Sequence, residues 1–501
     1  MIKTLINIFR VPELRNKVLF TLMMLAIFRI GHSVPIPGVD QWQFLTREQQ
    51  AVETAKIALA DAKATGDPEL IKVAEAELAA REREKAQSES SSDNSAAGRL
   101  ATYVSIFSGG NLSHSTIFGL GVMPYISASI IFQLLGTVVP ALEKLQKEGE
   151  SGRRKIQEWT RYATVPIAAM QAYFWLGTMG ADKVQSTWDG PMFWITGVIA
   201  LTAGCIFLMW IGEQIDEYGL GQGISLIIMA GIVCRMPAAI NTVWSNLDLS
   251  GQGGTGAFGP GTIIALICAF VFVVATAILI TQAQRRIPIM QAKHTRGRRV
   301  YGGAKQFLPL KVNIGGVMPI IFAQSLMLFP GMLLGYLDSL ARSQGWGGFG
   351  NFIIFLNQQF GHGHFLYVIT EMALIFFFAF FWTTVQFKPK EIANNLRDYG
   401  SFIPGLRPGK RTADYLEKVM MRMTYVGASF LCLIAVVPTI AFAYLGIPYE
   451  VAAFLGGTGL LIVVSVTLDI VQRIETNLLT RNYAGFLGAG EGGKRIKGRS
   501  A

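Results

Sequence analysis

The stretch GVMPYISASIIFQLL begins at Gly121, and GVMPIIFAQSLMLF begins at Gly316, so one chain carries the tetrapeptide Gly-Val-Met-Pro twice. Each copy opens a long apolar run. A proline inside a helix removes a hydrogen-bond donor and clashes with the preceding turn. In lipid, such a break needs neighbouring protein or a water-lined cavity to satisfy the freed backbone groups. Two matching breaks therefore indicate an internal repeat with a path near its centre.

The composition indicates an integral membrane protein. Hydrophobic residues make up 51% of the 501 residues and charged residues 15%, whereas a soluble protein has about 25% charged residues. The first apolar block lacks a small-residue cleavage site, so it is interpreted as a span and not as a signal peptide. Apolar blocks long enough to cross about 30 Å of hydrocarbon recur ten times, at 18–36, 116–140, 160–180, 192–212, 222–240, 260–282, 314–337, 365–387, 422–444 and 451–472.

The two motifs open the second and the seventh of these ten blocks, so each is the second member of a set of five. An odd number of spans per repeat places the two sets in opposite orientations. The sequence therefore predicts an all-α polytopic membrane protein, with ten transmembrane helices in two inverted five-helix halves. An accidental match between two helices that contain Gly and Pro is the alternative.

Basic residues predict the orientation, because cytoplasmic loops are enriched in Lys and Arg. The net charge is +11; residues 283–313 hold eight basic and no acidic side chains, residues 388–418 hold seven basic ones, and the tail after 472 holds six. Alternation over ten spans places both termini and both basic loops in the cytoplasm.

The predicted divisions are 1–44 (N-terminus and first span), 45–98 (insertion), 99–118 (re-entrant segment), 119–240 (spans two to five), 241–313 (span six and its basic loop), 314–472 (spans seven to ten, with the basic loop 388–418) and 473–501 (tail).

Two segments outside the spans have their own character. Residues 45–98 are rich in Ala, Glu and Lys around a Gly66-Asp67-Pro68 turn, which predicts an extracytoplasmic helical hairpin with a Ser-rich linker. This insertion is either a solvated addition without a role or a docking surface.

Residues 103–120 are too hydrophilic to span and closely joined to the next helix, so they predict a re-entrant segment.

Motifs for chemistry are missing from the sequence. It has no GxxxxGK[ST], HExxH or GxSxG pattern, and its four cysteines and five histidines do not form a metal-ligand set. We therefore expect neither an enzyme nor a bound cofactor or metal. A secondary transporter is the alternative, but ion-coupled transporters place ionisable groups inside their spans. Here the middles of spans two, four, six and seven have no ionisable residue, whereas Arg29, Glu371 and Asp469 lie within or at the ends of other spans. Glu371 is either a relay or a packed contact.

The chain resembles the SecY/Sec61 family of protein-conducting channels. The resemblance rests on stretches in family order: FRIGHSVPIPGVD (28–40), FSGGNLSHSTIFGLGVMPYISASIIFQLL (107–135), KEGESGRRKIQEWTRY (147–162), MWIGEQIDEYGLGQGISLIIMAGIV (209–233), QRRIPIMQAKHTRGRRVYGG (284–303), LPLKVNIGGVMPIIFA (308–323), FIPGLRPGKRTADYLEKVM (402–420) and FLGGTGLLIVVSVTLD (454–469). It covers the chain except 45–98 and the extreme tail. The insertion departs from the family, which has a short connection there.

The resemblance implies an hourglass pore and four sets of site residues. The apolar pore ring falls on Val122, Ile126, Ile228, Ile232, Met318 and Ile462, where Ile228 and Ile232 have the least certain register. The plug includes Phe107, Ser108, Gly109, Gly110 and Asn111. Lateral-gate positions in spans two and seven are Ile130, Gln133, Gln324 and Ser325. Docking residues for SecA and the ribosome are Arg285, Arg286, Arg298, Arg299, Arg407, Lys410 and Arg411, which could alternatively serve only as positive-inside determinants.

The resemblance also implies the function and the partners. It implies the central subunit of a translocon that passes unfolded secretory polypeptides and releases hydrophobic segments sideways into lipid. Its expected location is the bacterial cytoplasmic (inner) membrane. The implied partners are SecE and SecG, the SecA ATPase, the ribosome, signal peptides, nascent membrane proteins, accessory membrane-insertion factors and the lipid bilayer, without nucleic-acid specificity.

Overall fold

The structure, a computed structural model, describes residues 12–39, 116–178, 190–245, 260–291, 294–296, 299–301, 305–344, 347–360, 364–445 and 458–486. Its helices are α1 Pro12–Gly31, α2 Met123–Val138, α3 Pro140–Lys147, α4 Glu150–Thr178, α5 Pro191–Tyr218, α6 Gly223–Ser245, α7 Pro260–Gln282, α8 Met318–Gln344, α9 Gly347–Gln359, α10 Phe365–Gln386, α11 Pro389–Asp398, α12 Lys410–Leu445 and α13 Thr458–Phe486. Its strands are β1 Gln284–Gln291, β2 His294–Arg296, β3 Arg299–Tyr301, β4 Lys305–Lys311 and β5 Ser401–Phe402. The fold is mostly helical, as the sequence predicts.

Each of the ten predicted apolar blocks overlaps one long helix: α1, α2, α4 to α8, α10, α12 and α13. Within the described residues, six helices are long and apolar enough to cross a membrane, or seven if the bent pair α2 and α3 forms one span. The count of ten spans therefore remains a prediction. The three short helices α3, α9 and α11 have 8, 13 and 10 residues and lie outside the blocks, except for Pro140 of α3.

The two Gly-Val-Met-Pro motifs have the same backbone conformation. Gly121 and Gly316 both have φ of 58°, a left-handed conformation that glycine adopts without strain. The next residue caps the helix in each copy: Ile126 N donates to Val122 O at 3.1 Å, and Ile321 N donates to the equivalent Val317 O at 3.2 Å. The two copies of the motif thus form the same kind of helix N-cap.

The prolines of the motif do not interrupt helices, contrary to the sequence-based interpretation. α2 begins at Met123 and α8 at Met318, so Pro124 and Pro319 lie in the first turn. The first-turn N–H groups of a helix have no intrahelical partner, so proline is well tolerated there. The motif therefore starts two helices, whereas the predicted breaks in helix interiors are wrong for these positions.

The long helices pack as two equivalent sets. In the first set α1 contacts α5 and α6, α2 contacts α4, and α4 and α6 contact α5. The second set repeats this pattern, because α7 contacts α12 and α13, α8 contacts α10, and α10 and α13 contact α12. The sets meet mainly along two seams, between α2 and α8 and between α6 and α13. Both seams join equivalent helices, as a two-fold repeat requires.

One apolar cluster lies where the two sets meet. It contains buried side chains from α1, α2 and α5 to α8, and from α10, α12 and α13. We call it the central cluster. It includes residues that follow both Gly-Val-Met-Pro caps, among them Ile126 and Ile321.

The basic segment 283–313, which the sequence analysis treated as a loop, forms β-structure. β1 pairs antiparallel with β4, from Gln284 with Lys311 to Met290 with Lys305. Strand β5, from the second basic segment, adds to the other edge of β1. Ile287 and Ile289 are buried on alternate positions, whereas Arg285 and Arg286 are exposed. A second cluster packs β1 and β4 against α12, so the sheet and helices α11 and α12 form one body.

The segment before α2 is fixed to the first set of helices. Thr116 bridges Pro35, and Ile117 N donates to Val34 O at 3.0 Å. Ile117 also crosses α5 closely, since a Cβ at Gly204 would lie 2.2 Å from its carbonyl oxygen. Glycine at 204 is therefore needed for the approach of this segment.

Gly204→Ala is expected to destabilise the protein by about 1–3 kcal/mol, because the added methyl group overpacks a contact with backbone that cannot turn away. The measurement is the thermal midpoint of the purified protein in detergent. Gly261→Ala in α7 is the control, since a Cβ there meets nothing within 4 Å. Equal midpoints for the two variants would contradict the proposed packing at Gly204.

Candidate functional site

The six predicted ring residues come together in or against the central cluster. Five are buried, with exposed fractions from 0% for Ile462 to 5% for Ile126, and Met318 packs against the cluster with a partly buried side chain. They are supplied by α2, α6, α8 and α13, the four helices of the two seams. The structure thus places these residues at the junction between the two sets of helices.

A cavity of about 310 Å³ adjoins this junction at the end where α8 begins. Met318 lines it, together with polar residues from both sets of helices: Gln222, Ser225, Thr281, Asn313, Gln386, Ser465, Asp469, Gln472 and Arg473. Thr281 Oγ1 and Ser465 Oγ lie 3.4 Å apart, and Arg473 Nε donates to Asp469 Oδ2 at 2.9 Å. Apolar side chains such as Trp382 and Val466 also line the cavity, so its wall is mixed in polarity and comes from both halves.

Side chains beside the cavity hold the turn that positions Met318. Asn313 Nδ2 donates to Gly316 O at 2.7 Å. Gln386 is satisfied on both sides when its amide nitrogen donates to Ile314 O at 3.2 Å and its oxygen accepts from Trp382 Nε1 at 2.9 Å. This arrangement could not be predicted from the sequence, because Trp382 and Gln386 are distant from the motif in the chain. Only Asn313 lies close to it, three residues before Gly316.

The predicted gate residues lie on the contacting helices α2 and α8 but have different partners. Ile130 is buried in the central cluster. Gln133 Nε2 donates to Ser129 Oγ of its own helix at 3.2 Å, and Ser325 Oγ donates to Ile321 O at 2.7 Å. These two polar side chains therefore bond within their own helices.

Gln324 instead joins three helices of the second set. Its Nε2 donates to Thr458 Oγ1 of α13 at 3.0 Å and lies 3.5 Å from Glu371 Oε1 of α10. All three side chains are buried. Buried polar groups are costly without such partners, so these contacts favour a fixed position of α8 within its own half. The structure places Glu371 in a packed polar contact.

The first half also has an internal polar contact, although the Arg161 side chain is 42% exposed. Arg161 Nε of α4 donates to Glu213 Oε1 of α5 at 2.6 Å, and Gln157 Nε2 lies 3.5 Å from the same oxygen. The seam between α2 and α8 thus separates two bodies that are each connected by polar contacts. Parting along it leaves those contacts intact.

The predicted docking residues cluster at the sheet end of the molecule. Arg285 and Arg286 are exposed on β1, and Arg407, Lys410 and Arg411 are exposed at the start of α12. Pairing of β5 with β1 brings the two basic segments together. Arg299 lies in β3, described here by its backbone pairing with Arg296, and Arg298 is outside the described residues.

Arg407 lies in an ordered turn, as its Pro and Gly neighbours predict. Gly405 and Gly409 have φ of 83° and 108°, which favours glycine at both positions. Leu406 N donates to Ile403 O at 3.1 Å, and Thr412 Oγ1 donates to Arg407 O at 3.0 Å. The exposed guanidinium is therefore held on a rigid support.

The predicted plug residues Phe107, Ser108, Gly109, Gly110 and Asn111 and the insertion 45–98 lie outside the described residues. The sequence analysis also missed the β-structure of the basic segment. The alternation in QRRIPIMQ, with Ile at 287 and 289, is a signal that could have indicated it.

Comparison with known proteins identifies the family. A sequence model of the SecY family matches residues 116–471. The chain is 38% identical over 506 residues to the protein translocase subunit SecY of Thermus thermophilus, and the match covers 100% of both chains. It is 37% identical over 479 residues to the protein of the same description from Escherichia coli, covering 95% of this chain and 94% of that protein.

Solved structures show the same fold. A structure described as a protein-conducting channel matches with a TM-score of 0.55 at 17% identity, covering 94% of each chain. Sec61 in a canine ribosome-channel complex matches with a TM-score of 0.50 at 16% identity, again covering 94% of each chain. These similarities confirm the two-halved channel fold that the sequence predicts.

A full-length match at this identity excludes an accidental resemblance, and it sets the secondary-transporter alternative aside. The chain belongs to the SecY family.

Proposed function

We propose that this chain is the central, channel-forming subunit of a Sec-type protein translocase. The observation that carries the proposal is the junction of the two halves, where a cavity lined in part by polar side chains borders a buried apolar cluster. An extended polypeptide enters through the cavity, and its backbone finds hydroxyl and amide partners there. The chain itself catalyses no reaction, and the driving force comes from ATP hydrolysis by SecA, from elongation at the ribosome or from the proton-motive force.

Val122, Ile126, Ile228, Ile232, Met318 and Ile462 act as the seal. A narrow apolar constriction loses its water and blocks ions, and side chains without directed bonds can separate around a passing polypeptide and close again. Met318 borders both the cavity and the cluster, so it is the first seal residue that an entering chain meets.

Hydrophobic segments leave sideways between α2 and α8, where Ile130, Gln133, Gln324 and Ser325 form the lateral gate. A signal sequence or a nascent transmembrane segment gains free energy when its apolar surface leaves water for lipid. The seam parts between two internally connected bodies, which supports a rigid-body opening. Phe107, Ser108, Gly109, Gly110 and Asn111 are proposed as plug residues that leave the pore when it opens.

The sheet end is proposed to face the cytoplasm, with both termini, in the bacterial inner membrane. Arg285, Arg286, Arg298, Arg299, Arg407, Lys410 and Arg411 dock SecA and the ribosome there. Among the similar folds, Sec61 occurs in a ribosome-channel complex. SecE, SecG and accessory insertion factors are proposed as further membrane partners.

Ile232→Asn is expected to raise the resting ion conductance of the channel in planar bilayers, because a buried amide lets water into the apolar constriction. Val233→Asn is the control, since this neighbouring side chain on α6 is 42% exposed and points away from the central cluster. Equal conductance of the two variants would remove Ile232 from the seal.

A photo-crosslinker at Ile130 is expected to capture the signal segment of an arrested precursor, because this residue lies on the gate helix α2. The yield is expected to fall when the apolar core of the signal is replaced by polar residues, since such a segment no longer gains from entering lipid. Ile264 on α7, 64% exposed, serves as the lipid-facing control. Equal capture at 130 and 264 would argue against exit through the seam between α2 and α8.

Arg407→Glu is expected to weaken SecA binding and to slow ATP-driven export of a secretory precursor. The loss is expected to shrink as ionic strength rises, because salt screens exposed charges. Arg397→Glu is the matched control, as Arg397 is also exposed at this end but lies on α11, with its Nε 3.4 Å from Asp398. If both reversals reduce binding equally, the charge of this end matters but the turn at Arg407 has no special role.

A further inference from the structure

Helix α9 differs in composition from the other two short helices, α3 and α11. α3 has the sequence PALEKLQK and α11 the sequence PKEIANNLRD, and both carry several charged side chains. α9 has the sequence GGFGNFIIFLNQQ, without a charged residue. Its environment is therefore expected to be less polar than that of α3 and α11.

Helix α9 lies at the end of the molecule opposite the sheet. It connects the end of α8 to the start of α10 and packs against both helices, whereas β4 precedes α8 and α11 follows α10. Just beyond α9, Phe360 packs against the central cluster, as does Val368 in the first turn of α10. The C-terminal end of α9 therefore lies close to the apolar side chains of the central cluster.

The exposed surface of α9 is divided into an aromatic part and an amide part. Phe349, Phe352 and Phe355 are 66%, 55% and 54% exposed. Asn351 and Gln358 are also exposed, whereas Ile353 and Asn357 are buried against the protein. At about 100° per residue, the three phenylalanines span about 120° of the exposed arc, with the partly buried Gln359 among them. The two exposed amides lie at one edge of this arc, about 40° and 60° beyond Phe355.

This division fits a helix at the boundary between hydrocarbon and water. Such helices bury an apolar face among the acyl chains and keep polar side chains in water. The neighbouring surface is also apolar, since Phe365 and Ile369 at the start of α10 are exposed on a helix long and apolar enough to span. The aromatic side chains of α9 thus lie on a helix that packs against α10, whose exposed apolar side chains suit a lipid environment.

We propose that α9 is an interfacial helix whose edge Phe349, Phe352 and Phe355 inserts into the bilayer. The amide edge faces the water on the side opposite the sheet. Asn357 Nδ2 donates to Asp338 Oδ2 of α8 at 2.8 Å, so α9 also connects the far end of the gate helix to the membrane surface. The bilayer then holds that end of α8 at a constant depth while the seam between α2 and α8 opens.

The test uses fluorophores attached to single cysteines in a variant whose four native cysteines are replaced. F352C and F355C probe the aromatic edge, and N351C and Q358C are matched controls one edge away on the same helix. Each labelled protein is reconstituted in phosphatidylethanolamine/phosphatidylglycerol vesicles. Quenching is measured with iodide in the water and with a nitroxide placed high on the lipid acyl chain.

At 352 and 355 we expect strong quenching by the lipid nitroxide and several-fold weaker quenching by iodide than at 351 and 358. Equal iodide quenching at all four positions would place the helix in water and overturn the proposal. Protection of 352 and 355 from both quenchers would show that protein covers this edge, which also overturns it. Because the readout needs no transport, its outcome is independent of the proposed channel function.

Discussion

Along the seam between α2 and α8, the buried side chains that meet are mainly apolar, among them Ile126 and Ile321, while the polar side chains on these helices bond within their own half. Gln324 joins α8 to Thr458 and Glu371 in the second half, and Arg161 joins α4 to Glu213 in the first. In lipid, separating a buried polar pair leaves groups that water cannot satisfy, whereas apolar surfaces exchange one apolar neighbour for another. This distribution of polar contacts supports the proposed opening along the seam between α2 and α8.

The cavity and the seal follow from the same arrangement. Helices α2, α6, α8 and α13 are equivalent members of the two sets, and they meet at the junction with side chains such as Ile126 and Ile462. Because α8 begins at Met318, the chain before it is a turn braced by Asn313 and Gln386, and space remains beside it. The proposed entrance, a cavity with a mixed lining, thus lies directly beside the apolar side chains of the proposed seal.

Much of this could be predicted from the sequence, because the span blocks and the doubled motif are local patterns. The position of each long helix follows from apolar length, and the ring residues follow from the resemblance to the family. Three features were missed, although the alternation of Ile287 and Ile289 could have indicated one of them. Pro124 suggested a break inside a helix, because the sequence does not show whether the helix begins well before a proline or immediately before it. The β-hairpin was hidden by its basic composition, and the bracing of the turn by Trp382 and Gln386 depends on contacts between distant segments.

The shared cap limits how the sequences of the two halves can differ from each other. Both gate helices start two residues after a left-handed glycine, so the cap fixes the rotational phase of each helix about its own axis. One residue inserted between Gly316 and Met318 would rotate the rest of α8 about its axis by about 100°. The side chains that now face the junction between the halves would then point away from it. Single replacements preserve that phase, which leaves the two copies free to diverge in side chains while their spacing stays constant.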